Sequence, residues 1–282
     1  MYTAMRFVCE LTGKLLTESV FRGIIGVISK RYHKTKRRNL FHASDRTFFE
    51  ILRGLCRGQR FVFTYCAREI YGFIGHNGAG KTTTLKAACG LLDFADGEIR
   101  IDGKSIKEQP LDCKRVLAYI PDNPDLYEFL PGIKYLNFVA DIYGVSAADR
   151  AERIERYASL FAIRDDLAQP ISAYSHGMKQ KLAIIAALIH QPKLILMDEP
   201  FVGLDPIAAH HLKTIMREHC DAGGAIFFST HVLEVAEKLC DKVAIIRGGK
   251  LIASGTMENV LGDGSLEDVF LELSQTEPSD AE

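Results

Sequence analysis

The chain has 282 residues, 47% of them hydrophobic, with 35 Lys and Arg against 36 Asp and Glu for a formal net charge of −1. That length and apolar content can build one large core or two small ones, and they exclude a disordered, collagen-like or coiled-coil chain. The near-neutral sum hides a split: residues 1–68 hold 14 basic and four acidic residues, while residues 69–282 hold 21 and 32. A basic segment of this kind points to an anionic partner, nucleic acid or membrane. Seven Cys without a Cys-x-x-Cys pair argue for reduced thiols, and against a disulfide framework or a zinc site. No apolar run reaches the ~18–20 residues that span a bilayer. Arg6, Glu10 and Lys14 interrupt any cleavable leader pattern, so a soluble chain is expected.

In chain order, residues 1–60 read as a divergent basic segment. Periodicity there is weak, and Lys30–Arg38 packs six basic residues into nine. Phe61–Tyr65 is a strand by its aromatic and β-branched content. Glu69–Ile74 reads as a buried strand that ends in a Gly-rich turn, with a helix over Lys81–Leu92 behind it. A short strand lies within Asp96–Gly103, and another, Leu117–Ile120, stops at Pro121. Residues 133–163 carry helical periodicity without strand signal, and the charges of Asp149–Arg156 read as a solvated helix face. The stretch from about 111 to 175 is therefore expected as an inserted helical subdomain. Beyond it come helix Met178–His190, strand Leu194–Met197, helix Ile207–Cys220, strand Ala225–Ser229 and helix Val232–Cys240. A hairpin of Val243–Ile246 and Leu251–Ala253 follows, then an amphipathic tail helix over Gly264–Leu273. The remaining residues, 274–282, are expected to be disordered. Strand–helix alternation with apolar strands implies an α/β fold, a mostly parallel sheet covered by helices.

Gly75-His-Asn-Gly-Ala-Gly80-Lys81-Thr82 fits the phosphate-loop pattern G-x-x-x-x-G-K-[ST], placed between a strand and a helix as that motif requires. Its glycines let backbone N–H groups face an anion and the helix adds its dipole. Lys81 reaches the β- and γ-phosphates and Thr82 ligates Mg²⁺. Lys193–Met197 is an apolar strand ending in Asp198 and Glu199, and ligands in such sheets sit at strand carboxyl ends. Asp198 is therefore expected to hold Mg²⁺, and Glu199 to face the γ-phosphate and polarise water. Tyr174-Ser175-His176-Gly177-Met178 precedes a helix. Ser175 reads either as an ordinary cap or as part of a second anion site.

This ordered set resembles the ATP-binding subunit of an ABC transporter across roughly residues 61–273, in a P-loop NTPase fold with a small, atypical N-terminal antiparallel β part. The forms EIYGFIG-x-NGAGKTTTLK and YS-x-GMKQKL are most similar to bacterial export-type subunits whose permease is a separate chain. The resemblance implies nucleotide contacts at Gly75, Asn77, Gly78, Ala79, Gly80, Lys81, Thr82 and Thr83. It also makes Tyr174–Met178 the signature, Gly203-Leu-Asp205-Pro the D-loop and His231 the switch histidine. Lys81, Glu199 and His231 would carry catalysis, and Thr82, Asp198 and Asp122 the metal. Ser175, Gly177 and Asp205 would act on the nucleotide of a second subunit packed head to tail. ATP and Mg²⁺ are implied, as are a separately encoded permease and a seat on the cytoplasmic face of the cell membrane. No nucleic acid partner is expected.

Three departures stand out. Tyr119-Ile-Pro-Asp122 puts aspartate where the family usually has glutamine. Arg68-Glu69 replaces a Gly-Glu lead-in, where a turn with positive φ would be uncomfortable for Arg. The aromatic that stacks on adenine has no clear counterpart: Phe48 and Phe49 lie near the expected distance, while Tyr32 needs about twenty inserted residues. Losing such a stack costs about 1–3 kcal/mol. The competing readings are a binding-only pseudo-ATPase and a soluble ABC-type protein acting on nucleic acid or ribosomes. A guanine-reading N-K-x-D motif does not occur.

Overall fold

The computed structural model describes residues 47–52, 62–95, 97–262 and 264–275. The basic run Lys30–Arg38, Tyr32 and the end of the chain beyond residue 275 lie outside the described residues. A six-stranded sheet in the order β10-β9-β3-β8-β7-β6 organises the fold. It comprises β3 (Ile70–Ile74), β6 (Leu117–Ile120), β7 (Leu194–Asp198), β8 (Ala225–Thr230), β9 (Lys242–Arg247) and β10 (Lys250–Thr256). All pairings are parallel except the β9–β10 hairpin. β3, β7 and β8 are buried at every position, as strands covered on both faces must be. Their side chains alternate between two cores. Ile70, Ile74, Ile195, Met197, Ile226 and Phe228 pack on one face. Tyr71, Phe73, Leu194, Leu196 and Phe227 pack on the other.

Helices close both faces: α1 (Lys81–Ala88), α2 (Pro110–Arg115), α3 (Gly132–Ile142), α4 (Ala147–Leu160), α5 (His176–Ile189), α6 (Pro206–Asp221), α7 (Leu233–Leu239), α8 (Met257–Leu261) and α9 (Leu266–Gln275). α1 stops four residues short of the Leu92 expected from its pattern. Gly90 N–H donates to Ala87 O and Leu91 N–H to Lys86 O, closing the last turn.

A second, antiparallel sheet runs β2-β1-β4-β5, from β1 (Thr47–Leu52), β2 (Val62–Cys66), β4 (Glu98–Ile101) and β5 (Lys104–Ser105). β1 lies on the N-terminal side of residue 60 yet pairs with β2 and β4, with Phe49 opposite Ile101 and Ile51 opposite Ile99. Part of the segment set apart by its charge thus belongs to this sheet. β6 likewise falls inside 111–175 but pairs with β7 in the large sheet, so the helical part begins beyond Ile120. Ser274 and Gln275 continue α9 where a disordered tail is expected. Among the described residues no helix is long and apolar enough to cross a membrane.

Candidate functional site

The order β3-β8-β7 sets three strand carboxyl ends side by side, the edge at which open α/β sheets hold ligands. β3 leads into the loop 75–80 and α1, β7 ends on Asp198, and β8 runs up to His231. In the loop, Gly78 and Gly80 take φ of 79° and 106°, a region open to glycine without steric cost. Ala79 N–H donates to His76 O (3.1 Å), and Gly249 N–H of the β9–β10 turn donates to Ala79 O (3.0 Å). No side chain caps α1 at Gly80, the arrangement in which a helix N-terminus receives an anion. Asn77 and Thr83 are exposed and Thr82 is half-buried, all three on or beside that helix start.

Lys81 is 6% exposed. Its Nζ donates to Gly75 O (2.7 Å) and His76 O (3.3 Å) and lies 3.5 Å from Glu199 Oε1. Glu199 joins the three strand ends. His231 Nδ1 sits 2.9 Å from its Oε1 and His231 N–H donates to its Oε2 (3.4 Å). Its own N–H donates to the Ser229 backbone oxygen and to Ser229 Oγ, both at 3.2 Å. Glu199 itself holds φ of 46°. A left-handed non-glycine residue costs about 1–2 kcal/mol, and such strain concentrates at functional sites.

Asp198 is 1% exposed. Its Oδ1 accepts the Ser229 hydroxyl, while Oδ2 has no partner. A buried carboxylate oxygen left unmatched is costly, and a hard cation satisfies it. Among the described residues no group of three or more His, Cys, Asp or Glu could hold a metal by itself. A cation here would rest on the Asp198 carboxylate, the Thr82 hydroxyl and phosphate oxygens, the usual donor set for Mg²⁺. The residues fit that ion.

The structure thus brings together Lys81, Asp198, Glu199 and His231 at one edge. Ser229, which links Asp198 to Glu199, escapes sequence reasoning; its signal is its position opposite Asp198 in the parallel register of β7 and β8. Asp122 stands apart in the loop after β6. It accepts the Asn123 N–H (2.8 Å), and no hydrogen bond or ion pair joins it to Asp198 or Glu199. It lines a cleft of about 360 Å³ with Lys86, Tyr119, Tyr135 and His190. Ser175, Gly177 and Asp205 lie where α5 and α6 begin. Ser175 Oγ accepts the Met178 N–H (3.3 Å) as the cap of α5. Asp205 caps α6 by accepting the Ala208 N–H (2.9 Å), and Lys181 Nζ lies 2.7 Å from its Oδ2. The Lys181 hydrogen bond and then the cap hold the Asp205 carboxyl down to about 2. Arg68, the departure before β3, indeed adopts positive φ, 71°, with its N–H donating to Gly224 O (2.7 Å).

The model of the ABC transporter family matches residues 59–202. The chain is 37% identical over 218 residues to the ABC-type transporter ATP-binding protein EcsA of Bacillus subtilis (strain 168), spanning 76% of this chain and 88% of that protein. A solved ATP binding subunit of an ABC transporter is 35% identical with a TM-score of 0.77, over 81% of this chain and 100% of the other. The structure of cbiO1 from Clostridium perfringens, described as part of the ABC transporter complex cbiONQ, is alike in fold alone. It is 21% identical with a TM-score of 0.65, over 83% of this chain and 96% of its own. With half the chain inside the family model and relatives this similar along most of their length, the chain belongs to the ABC transporter family, as one of its ATP-binding subunits with ATPase activity.

Proposed function

We propose that this subunit powers a separate membrane permease in the export direction, sitting on the cytoplasmic face of the cell membrane as one of a head-to-tail pair. The observation that carries the catalytic part is the Glu199 carboxylate held between His231 and Lys81, one residue from the orphaned Asp198 oxygen. The loop 75–80 and the start of α1, with Asn77, Thr82 and Thr83, cradle the triphosphate. Lys81, when it turns from Glu199 to the phosphates, offsets charge on the transferring group. Glu199 then accepts a proton from water aimed at the γ-phosphorus, and His231 holds the carboxylate in that pose. A Mg²⁺ ion at Asp198 and Thr82 would neutralise charge on the β- and γ-oxygens.

The partner's nucleotide would meet Ser175, Gly177 and the N-terminus of α5, which favours an anion. Loss of the γ-phosphate removes that shared anion and opens the pair, a two-state switch driven by differential binding. The sequence forms EIYGFIG and YSHGM, similar to export-type subunits, support the direction and the separate permease.

Glu199→Gln should lower steady-state phosphate release at least ~10²-fold while a fluorescent ATP analogue binds as before. Near-normal turnover would remove Glu199 from the base role. Co-purification of the tagged subunit with a multi-span protein encoded beside it tests the permease. Recovery of the subunit alone from detergent-solubilised membranes of its own cell would count against it.

A further inference from the structure

We propose that Phe270 is a positioning residue for ATP: through its ring, the tail helix α9 holds the phosphate loop in the shape that receives a triphosphate. The proposal rests on the reading of residues 75–80 as the triphosphate seat, and on nothing about a permease or a second subunit.

The loop gives a nucleotide little rigid structure of its own. Three of its six residues, Gly75, Gly78 and Gly80, are glycine, the residue that loses most freedom when it is fixed. Its far end is tied down by the Gly249 N–H bond to Ala79 O (3.0 Å). At the near end the backbone of His76 does the holding. His76 O accepts the Ala79 N–H at 3.1 Å and the Lys81 Nζ at 3.3 Å. A shift of residue 76 therefore moves the first turn of the loop and its lysine together. The His76 ring reaches out of the loop to Phe270, which it meets edge-on with centroids 4.7 Å apart and planes at 62°, a favourable geometry for an aromatic pair.

That partner is firmly seated. α9 opens on a reciprocal cap: Asp268 N–H donates to Ser265 Oγ (3.2 Å), and the Ser265 N–H and hydroxyl donate to Asp268 Oδ2 (3.0 and 2.6 Å). Leu266 is 0% exposed, and its N–H donates to Glu237 Oε2 of α7 at 2.8 Å. Phe270 follows one turn later on the same face. With Val269 it packs against the core on one side of the large sheet. α7 itself begins just after His231, so the tail helix braces the phosphate loop against the segment that carries this histidine. Ordering a glycine-rich loop weakens binding, and a loop held in shape beforehand avoids that loss. The contact therefore acts on affinity, and Phe270 is assigned no contact with ATP.

The test uses the full chain, titrated with a fluorescent ATP analogue and Mg²⁺, with steady-state phosphate release and thermal unfolding without nucleotide measured alongside. Lys81→Ala is the control for the loop reading and should abolish binding. Phe270→Leu keeps apolar packing against the core and removes the ring. It should weaken binding about 2–10-fold, leave kcat at saturating ATP within about twofold, and melt within about 4 °C of the parent. Phe270→Tyr keeps the ring and should bind as the parent does. His76→Ala should weaken binding by a similar factor, and adding it to Phe270→Leu should change little more, because the two rings form one contact. If Lys81→Ala is weak and Phe270→Leu binds as the parent does, the brace is overturned and the loop reading stands. If Lys81→Ala binds normally, the loop reading fails and the proposal falls with it. A larger loss of stability in Phe270→Leu, no recovery in Phe270→Tyr, additive losses in the double variant, or a fall in kcat without one in affinity would mark a different role for the ring and also overturn it.

Discussion

Asp198→Asn asks whether the orphaned oxygen at the end of β7 is the seat of a cation. This carboxylate is 1% exposed, with Oδ1 bonded to the Ser229 hydroxyl and Oδ2 unmatched. An unsatisfied buried polar group costs about 1–3 kcal/mol, and a charged one more. Asparagine keeps the volume and the Oδ1 acceptor and leaves an unmatched but neutral amide. The variant should therefore gain about 1 kcal/mol without nucleotide, or about 2–4 °C in melting temperature for a chain of this size. With Mg²⁺ and ATP at ~100 times the dissociation constant, the parent protein gains about 2.7 kcal/mol by linkage. The variant should lose most of that gain, because a neutral amide is a poor ligand for a hard cation. The order of stabilities inverts between the two conditions. Thermal unfolding followed by circular dichroism, first in EDTA and then with Mg²⁺ and ATP, reads both. A variant less stable than its parent in EDTA would refute the argument, and so would one stabilised in full by Mg²⁺ and ATP.

Two further outcomes follow from the backbone and the core. Arg68 holds φ of 71°, so Arg68→Gly should stabilise the chain by about 0.5–1 kcal/mol in urea unfolding; an unchanged or lower midpoint would mean the turn carries no strain. His190 stacks on Tyr143 at 3.6 Å, and burial pushes its imidazole down to about 4. The unfolded chain takes up that proton first, near pH 6.5. Stability is then complete above about pH 6.5 and falls by up to about 3 kcal/mol as pH drops toward 4. Burial lowers His219 as well, which adds to the same window. His190→Phe keeps the stack and should flatten the profile by its share; a profile parallel to wild type would rule His190 out.

Local signals carried most of the large sheet. Apolar runs such as Leu194–Met197 and Ala225–Ser229 are strands in any context that buries both faces, and the phosphate loop announces itself by spacing alone. Arg68 was legible because a single missing glycine marks a turn that needs positive φ. Contacts made only by long-range pairing were not legible. The residues of β1 favour strand by type, but nothing near them points to Glu98–Ile101 as their partner. β5 is two residues long, too short for any periodicity. Leu117–Ile120 was readable as a strand, whereas its membership of the large sheet depends on Leu194–Met197, far along the chain. Ser229 belongs to the same class: it has no local pattern, and its role appears only when β8 is laid beside β7.

Lys81 also has a bearing on selectivity. The loop that receives phosphate is no bare cationic hole, for its ammonium group already neighbours a glutamate and two carbonyls. On the proposed function, an arriving anion would displace that glutamate from the lysine, which would make entry an exchange. Sulfate or free phosphate, held by few other contacts, is a weak competitor in such an exchange, while a triphosphate spread along the whole loop is a strong one. The same exchange sets the timing. On the proposed function, substrate would draw the lysine off Glu199 and leave the carboxylate on His231, so the base would be uncovered only with the phosphates in place.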